Sequence, residues 1–135
     1  PLSDDLRRFK RLTKAHAVIV GTKTLKTLPM LLDRHVLHLT SDAKKQPSPD
    51  GYRVKKVISK IDDALIGWAE PTSAPEPIFI IGGGEVYKST LDRASVVVMT
   101  RIHAKAEKAD AWYPDILSVR KPTYCTETQP MIDEK

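Results

Sequence analysis

The chain has 135 residues, a hydrophobic fraction of 41% and a formal net charge of +5. This length and composition fit one compact domain around a single hydrophobic core. Basic and acidic residues are interleaved and aromatic residues make up only 6%, which favours a small anionic ligand over a nucleic acid. Cys125 is the one cysteine, so no disulfide forms within the chain, and no apolar run is long enough to span a bilayer. We therefore expect a soluble, cytoplasmic protein.

The first half of the chain alternates between helix and strand signals. Ser3 and the two acids after it are typical of a helix start, and Leu6, Phe9 and Leu12 recur at helical spacing. The pattern predicts a helix of about three turns that buries this stripe. After it come a predicted strand, a short helix and two more strands, in the segments HAVIV, TKTLKTLP, RHVLHLT and YRVKKV.

The second half continues the alternation. Ser59 and Asp62 resemble a capping box at the start of a helix in KIDDALIGWA, and a proline-rich loop follows. IFII is apolar on both faces, as a strand of a covered parallel sheet is. EVYKSTL reads as a short helix, and SVVVMTRI (residues 95–102) is the strongest strand signal in the chain. The order predicts an α/β fold with a mainly parallel central sheet flanked by helices.

Three consecutive glycines, Gly82 to Gly84, separate IFII from the helix that follows. Ligands of open α/β sheets bind beyond the carboxyl ends of the strands, and glycine lets the backbone approach them closely. The triplet is therefore a candidate phosphate or pyrophosphate cradle. Tyr87 occupies the place of the last glycine in G-x-G-x-x-G, so a tight turn without a ligand is the alternative.

Four segments, taken in order, resemble the dihydrofolate reductase family: LSDDLRRFKRLT, VIVGTKT, IIGGGEVY and TRIHAKAEKADAWYP. The resemblance spans nearly the whole chain, and the ordered set is far more specific than any one motif. It implies a single dihydrofolate-reductase-like domain over residues 1–135. It also implies NADPH-dependent reduction of dihydrofolate to tetrahydrofolate, with hydride transferred from the nicotinamide to the pteridine.

On the substrate side, the resemblance implies that Asp5 orients the pteridine and supports its protonation, and that Thr100 hydrogen-bonds this carboxylate. Arg34 matches the arginine that grips the α-carboxylate of the substrate. The family usually has Pro-Gly before that arginine, whereas this chain has Leu32 and Asp33, so Asp33 could compete for Arg34. The residues implied as apolar walls of the pocket are Leu6, Phe9, Leu28, Leu31 and Ile81.

On the cofactor side, the resemblance implies two phosphate-facing turns, the second with a cis Gly-Gly bond, and places Tyr87 near the reacting rings. The implied contacts are Gly21, Thr22, Lys23, Thr24, Thr40, Ser41, Gly82, Gly83, Gly84, Glu85, Val86 and Tyr87. Thr22 and Ser41 stand where the family often has arginines that reach the 2′-phosphate. Lys23, Lys44 and Lys45 could supply the positive charge instead. NADPH is the expected cofactor and NADH the alternative.

Family members have an apolar strand and a lid loop ahead of the segment that opens this chain, and a further strand after its last segments. We therefore expect either the retained part of a longer enzyme or a chain whose absent strands another segment supplies. The expected partner is dihydrofolate alone, with no nucleic acid, no membrane and a monomeric state. A non-catalytic binding module and a flavin or pterin reductase remain alternatives, which Asp5 with Thr100 and Arg34 respectively would help to distinguish.

The sequence favours neither a metal site nor a catalytic nucleophile. His35 and His38 lie three apart on a predicted strand and so point to opposite faces, and no Cys/His cluster supports them. Cys125 lies in a polar stretch and fits a packed thiol better than a nucleophile. No metal is expected.

Overall fold

The computed structural model describes residues 3–29, 31–41, 54–61, 77–102, 105, 107–109, 115 and 116. Its helices and strands alternate along the chain, as predicted. They are, in chain order, α1 (Ser3–Thr13), β1 (Ala17–Gly21), α2 (Thr22–Thr27), β2 (His35–Leu39), β3 (Val54–Ile58), β4 (Phe79–Ile80), α3 (Gly84–Thr90) and a 3₁₀ turn (Leu91–Arg93). The helix predicted in KIDDALIGWA begins at Ile61, and the rest of that segment lies outside the described residues.

The four strands form one parallel sheet in the order β3-β2-β1-β4. β1 is its centre: all five of its residues are buried, and it pairs with β2 from Ala17↔His35 to Gly21↔Leu39. On its other side Val18 and Ile19 pair with β4. An α/β fold with a mainly parallel sheet is therefore confirmed.

The core lies on both faces of this sheet because alternate residues of a strand point to opposite sides. On one face Ile19 and Leu37 pack with Ile58 and Ile80. On the other face Val18, Val20 and Val36 pack with Leu25 of α2, and Leu28, Leu31, Phe79 and Ile81 extend that cluster. Strands covered on both faces are typically apolar throughout, as HAVIV and IFII are.

The predicted helix α1 is present, but the prediction that it buries the stripe Leu6, Phe9 and Leu12 is wrong. Leu6 is 54% exposed and Leu12 37% exposed, and only Phe9 is half-buried. The covered side is instead Asp5, Phe9 and Thr13, whose spacing of four places them on one helix face. The covered face of the helix is therefore partly polar, and it does not pack as a continuous apolar stripe on the core.

The strand predicted at residues 95–102 is also wrong. None of the described strands pairs with this segment, and Val96, Val98 and Ile102 are more than half exposed. β-branched residues favour a strand only where a neighbouring strand takes up the backbone N–H and C=O groups. A local sequence pattern shows that β-branched residues are present, but it does not show whether a neighbouring strand is available.

Candidate active site

Two glycine turns meet at the edge of the sheet where the parallel strands end. β1 ends at Gly21 and leads directly into α2, while β4 leads through Ile81 and Gly82 into α3. The Gly21 N–H donates to the Gly82 carbonyl at 2.9 Å, and the Ile81 N–H donates to the Ile19 carbonyl at 3.0 Å. The two turns are therefore held side by side by backbone hydrogen bonds.

The close approach of these turns requires the glycines. Gly82 has φ +119°, a conformation that other residues rarely adopt, and the aromatic ring of Tyr87 lies against it. A Cβ on Gly83 would lie 2.7 Å from Thr24 Oγ1, and one on Gly21 would lie 3.0 Å from Val86 Cγ2. The bond between Gly82 and Gly83 is cis, as the resemblance implied.

The N-termini of α2 and α3 open at the same edge. Their N-cap residues are Gly21 and Gly83, and neither contributes a side-chain hydrogen bond to the helix. The first N–H groups of a helix need acceptors from outside it, and they attract anions. This arrangement suits the phosphates of a dinucleotide.

A part-buried hydrogen bond connects the start of α2 to β2. His38 is fully buried, and its Nε2 lies 2.8 Å from Thr22 Oγ1. Burial, and secondarily the charge of Lys26, lowers the pKa of His38 below its ordinary value of 6.5. The Thr22 hydroxyl is directed into the protein toward the His38 imidazole. Sequence reasoning treated His38 only as a possible metal ligand and missed this role.

The carboxylate predicted for the pteridine pocket lies on α1 and is half-buried. The Thr100 hydroxyl donates to Asp5 Oδ1 at 2.7 Å, and Arg8 Nη1 donates to Thr100 Oγ1 at 3.3 Å. Asp5 and Thr100 are 95 positions apart in the chain. The hydrogen bond that the resemblance implied is present, and Arg8 is an addition that the sequence pattern did not indicate.

Arg34, which directly precedes β2, lies against the same face of α1, closer to the end of the helix. Its guanidinium carbon is 6.0 Å from the centroid of the Phe9 ring, Nε donates to Thr13 Oγ1 at 3.2 Å, and Nη1 donates to the Leu32 carbonyl at 2.7 Å. Within the described residues these contacts leave Nη2 without a protein acceptor. No ion pair with Asp33 is found in the described part of the chain, so competition from that side chain is not observed.

The loop before Arg34 reaches α1 by a backbone route that replaces the expected Pro-Gly. Asp33 adopts φ +58°, a left-handed conformation that aspartate tolerates better than most residues. Its carbonyl accepts a hydrogen bond from the Ala15 N–H at 2.6 Å. The departure from the family pattern therefore still brings Arg34 beside the end of α1.

An apolar wall connects the substrate side with the cofactor side. Leu28, Leu31 and Ile81 pack in one cluster over β1. Ile81 directly precedes Gly82, and Leu31 lies three residues before Arg34. Leu6, also predicted as a wall residue, is not a member of this cluster and is 54% exposed.

The remaining predicted cofactor residues lie at the same edge of the sheet. Thr40 is buried at the end of β2, where its N–H donates to the Ile58 carbonyl at 3.0 Å. Lys23, Ser41 and Glu85 are exposed. Lys44 and Lys45, offered as sources of positive charge, lie outside the described residues, as does Cys125.

A family model described as "Dihydrofolate reductase" matches residues 1–134 of the chain. The chain belongs to the dihydrofolate reductase family. It is 32% identical to the dihydrofolate reductase of Bacillus subtilis over 116 residues, covering 84% of this chain and 62% of that protein. It is 29% identical to dihydrofolate reductase HdrB of Haloferax volcanii, covering 84% and 59%, and 31% identical to the dihydrofolate reductase of Bos taurus, covering 86% and 67%.

The family match covers both glycine turns and the pairing of Asp5 with Thr100, since all of these residues lie within positions 1–134. The chain spans about three fifths of the length of the first two relatives. Among the described residues there is no helix long and apolar enough to cross a membrane, and no group of three or more potential metal ligands.

Proposed function

We propose that the protein reduces dihydrofolate to tetrahydrofolate with NADPH as hydride donor. The observation that carries the proposal is the 2.7 Å hydrogen bond from Thr100 to Asp5, because a scaffold without catalysis has no need of a carboxylate fixed across 95 positions of sequence. Two relatives that match most of the chain are named dihydrofolate reductase, which supports the choice of substrate.

Asp5 would orient the pteridine. Its Oδ1 accepts the Thr100 hydroxyl, which leaves the second oxygen and the remaining lone pairs for a ring N–H and the 2-amino group of the substrate. A carboxylate held in this way also supports protonation of the neighbouring ring nitrogen. The protein contributes the position of the substrate to the reaction, and the cofactor supplies the reducing chemistry.

Arg34 would bind the other end of the substrate. Thr13 lies eight positions after Asp5 on the helix, a rise of about 12 Å. The Arg34 guanidinium lies at the Thr13 end, with Nη2 still without an acceptor within the described residues. The half-buried Phe9 ring lies between the two polar groups. This order along α1 suits an elongated ligand with a heterocycle at one end and a carboxylate at the other.

The two glycine turns would hold the cofactor phosphates. The backbone at Gly21 to Thr24 and Gly82 to Val86 presents helix N-termini with no side-chain cap from the N-cap residues, and Tyr87 flanks the second turn. When bound, the nicotinamide supplies the hydride. The residues of this edge bind the dinucleotide and fix its position relative to Asp5.

NADH is the second candidate cofactor, and one contact favours keeping it. The Thr22 hydroxyl is engaged by His38 at 2.8 Å, so at the place where the family often has an arginine this chain offers no cation. Lys23 is exposed beside it and could supply charge. We propose a preference for NADPH that is smaller than one built on arginines.

The test is oxidation of NADPH by the intact purified protein with and without dihydrofolate, followed in parallel with NADH. Oxidation that depends on dihydrofolate, and is faster with NADPH, is the expected result. A folded protein that shows no dihydrofolate-dependent oxidation at high concentration would contradict the proposal and favour a binding module.

We further propose that the chain forms one domain of a cytoplasmic monomer, which gel filtration and localisation of the intact protein would test.

A further inference from the structure

We infer that Arg8 is a positioning residue for the reaction, which it serves by orienting the Thr100 hydroxyl toward Asp5; this inference rests on the proposed function. Three groups form a chain of hydrogen bonds with one direction. Arg8 Nη1 donates to Thr100 Oγ1 at 3.3 Å, and the Thr100 hydroxyl donates to Asp5 Oδ1 at 2.7 Å.

The direction follows from the chemistry of the three groups. A guanidinium only donates hydrogen bonds and an ionised carboxylate only accepts them, whereas a hydroxyl has one proton and can rotate. With Arg8 donating to its oxygen, the Thr100 hydroxyl cannot direct its proton toward Arg8, and its proton is left for Asp5. Successive bonds that point the same way also polarise one another.

The location of Arg8 makes this effect specific to the substrate side. Arg8 and Thr100 are both exposed and lie 92 positions apart in the chain, and Arg8 is one helical turn beyond Asp5 on α1. Residues 95–102 make no sheet pairing in the described structure, so the hydroxyl is not held by a regular strand. Arg8 therefore fixes both the segment and the direction of its hydroxyl at the carboxylate.

The test is a double-mutant cycle on the intact protein, with Arg8→Met, Thr100→Val and the double variant. Arg8→Met should lower kcat/KM for dihydrofolate about fivefold to tenfold, with the Kd for NADPH unchanged. In the Thr100→Val background the same change should cost no more than about twofold, because Arg8 acts through the hydroxyl. Arg8→Lys, which keeps a charged donor, should recover most of the loss.

Arg7→Met is the matched control because it makes the same substitution at the adjacent position. Arg7 bonds only Asp4 and Ser3 among the described residues, so this variant should stay within about twofold of the wild type. Equal activity of Arg8→Met and wild type would overturn the inference. A loss in Arg8→Met that is undiminished in the Thr100→Val background, or that affects NADPH binding equally, would also overturn it, since a purely structural tie would act that way.

A second readout separates this inference from the proposed function. The Kd for dihydrofolate, measured by titration without turnover, should show the same pattern. Binding should be weaker in Arg8→Met than in the wild type, and the double variant should bind no more weakly than Thr100→Val. If the variants show this pattern of dihydrofolate binding but the wild type does not oxidise NADPH, the proposed reaction is contradicted and the role of Arg8 in positioning Thr100 is supported. A wild type that does not bind dihydrofolate would overturn both.

Discussion

The two sides of the candidate site are built in different ways. The cofactor side is formed by backbone: Gly21 and Gly82 are joined by a main-chain hydrogen bond, and the fully buried strand β1 ends at Gly21. The substrate side is formed by side chains from separate parts of the chain: α1, the loop that carries Arg34, and the segment 95–102, which pairs with none of the described strands. Substitutions on the first side should therefore change stability and cofactor binding together, and those on the second should change substrate chemistry alone.

Asp5→Asn should have the largest effect on activity. The amide keeps the shape of the side chain but loses the charge and one acceptor, so kcat/KM for dihydrofolate should fall about 100-fold or more, while the Kd for NADPH stays the same. Steady-state kinetics and an NADPH titration measure the two quantities. Asp4→Asn is the control, because Asp4 is exposed and pairs with Arg7 at 2.9 Å; a similar loss there would refute a special role for Asp5.

Arg34→Lys should act on the substrate tail only. Lysine keeps the charge but lacks the planar fork that binds a carboxylate through two parallel bonds, so KM for dihydrofolate should rise about tenfold. A reduced pterin without the carboxylate tail should be affected no more than about twofold. Arg11→Lys, on the exposed side of α1, is the control, and an equal rise for both substrates would argue against tail binding.

Gly82→Ala should weaken both stability and cofactor binding. Alanine is strained at φ +119°, and its Cβ would lie 3.2 Å from Tyr87 Cε2. The free energy of unfolding should fall by about 1–3 kcal/mol, and the Kd for NADPH should rise about tenfold as the turn moves. Denaturant unfolding and NADPH titration check this. The exposed Lys88→Ala on α3 should change neither, and unaltered NADPH binding in Gly82→Ala would break the link between this turn and the cofactor.

His38 should produce the smallest effect, a pH dependence of stability. Its pKa is lowered in the folded protein by burial and by Lys26, so below about pH 6.5 the unfolded chain binds a proton that the folded chain does not. The contribution of His38 to the free energy of unfolding should be complete above that pH. It should fall by at most about 1.4 kcal/mol per pH unit as the pH decreases, until His38 is protonated in the folded state as well.

Denaturant unfolding between about pH 5 and pH 7, compared with His38→Gln, isolates this contribution. The glutamine variant should lose the part of the slope that is due to His38. Thr22→Val is the matched control, because it removes the 2.8 Å hydrogen bond but leaves a titrating imidazole, and it should keep the slope. Identical slopes in the wild type and His38→Gln would contradict the assignment.

The difference between the two sides also explains what the sequence could predict. β1, α2 and α3 were predicted near their observed bounds because their signals are local: β-branched runs, glycine turns and short helical stretches. The strand at 95–102 was wrong because pairing depends on a neighbour that a local pattern does not report. The exposure of Leu6 and Leu12 was missed for the same reason, since helical spacing does not say what lies opposite.

Long-range side-chain contacts were predicted only where the family resemblance supplied them. Asp5 with Thr100 came from that resemblance, whereas Arg8 with Thr100 and Thr22 with His38 were missed. A signal was available for the second pair: a histidine in the otherwise apolar run VLHL must find a polar partner when it is buried. Nothing comparable marks Arg8, one of several exposed basic residues on α1.

A crystal structure of the intact protein with NADPH and dihydrofolate would test the central claim most directly. We expect the pteridine within hydrogen-bond distance of the free oxygen of Asp5, the substrate carboxylate at Arg34, and the dinucleotide phosphates against Gly21 to Thr24 and Gly82 to Val86. A pteridine that contacts neither Asp5 nor the wall of Leu28, Leu31 and Ile81, or a dinucleotide bound away from both glycine turns, would contradict it.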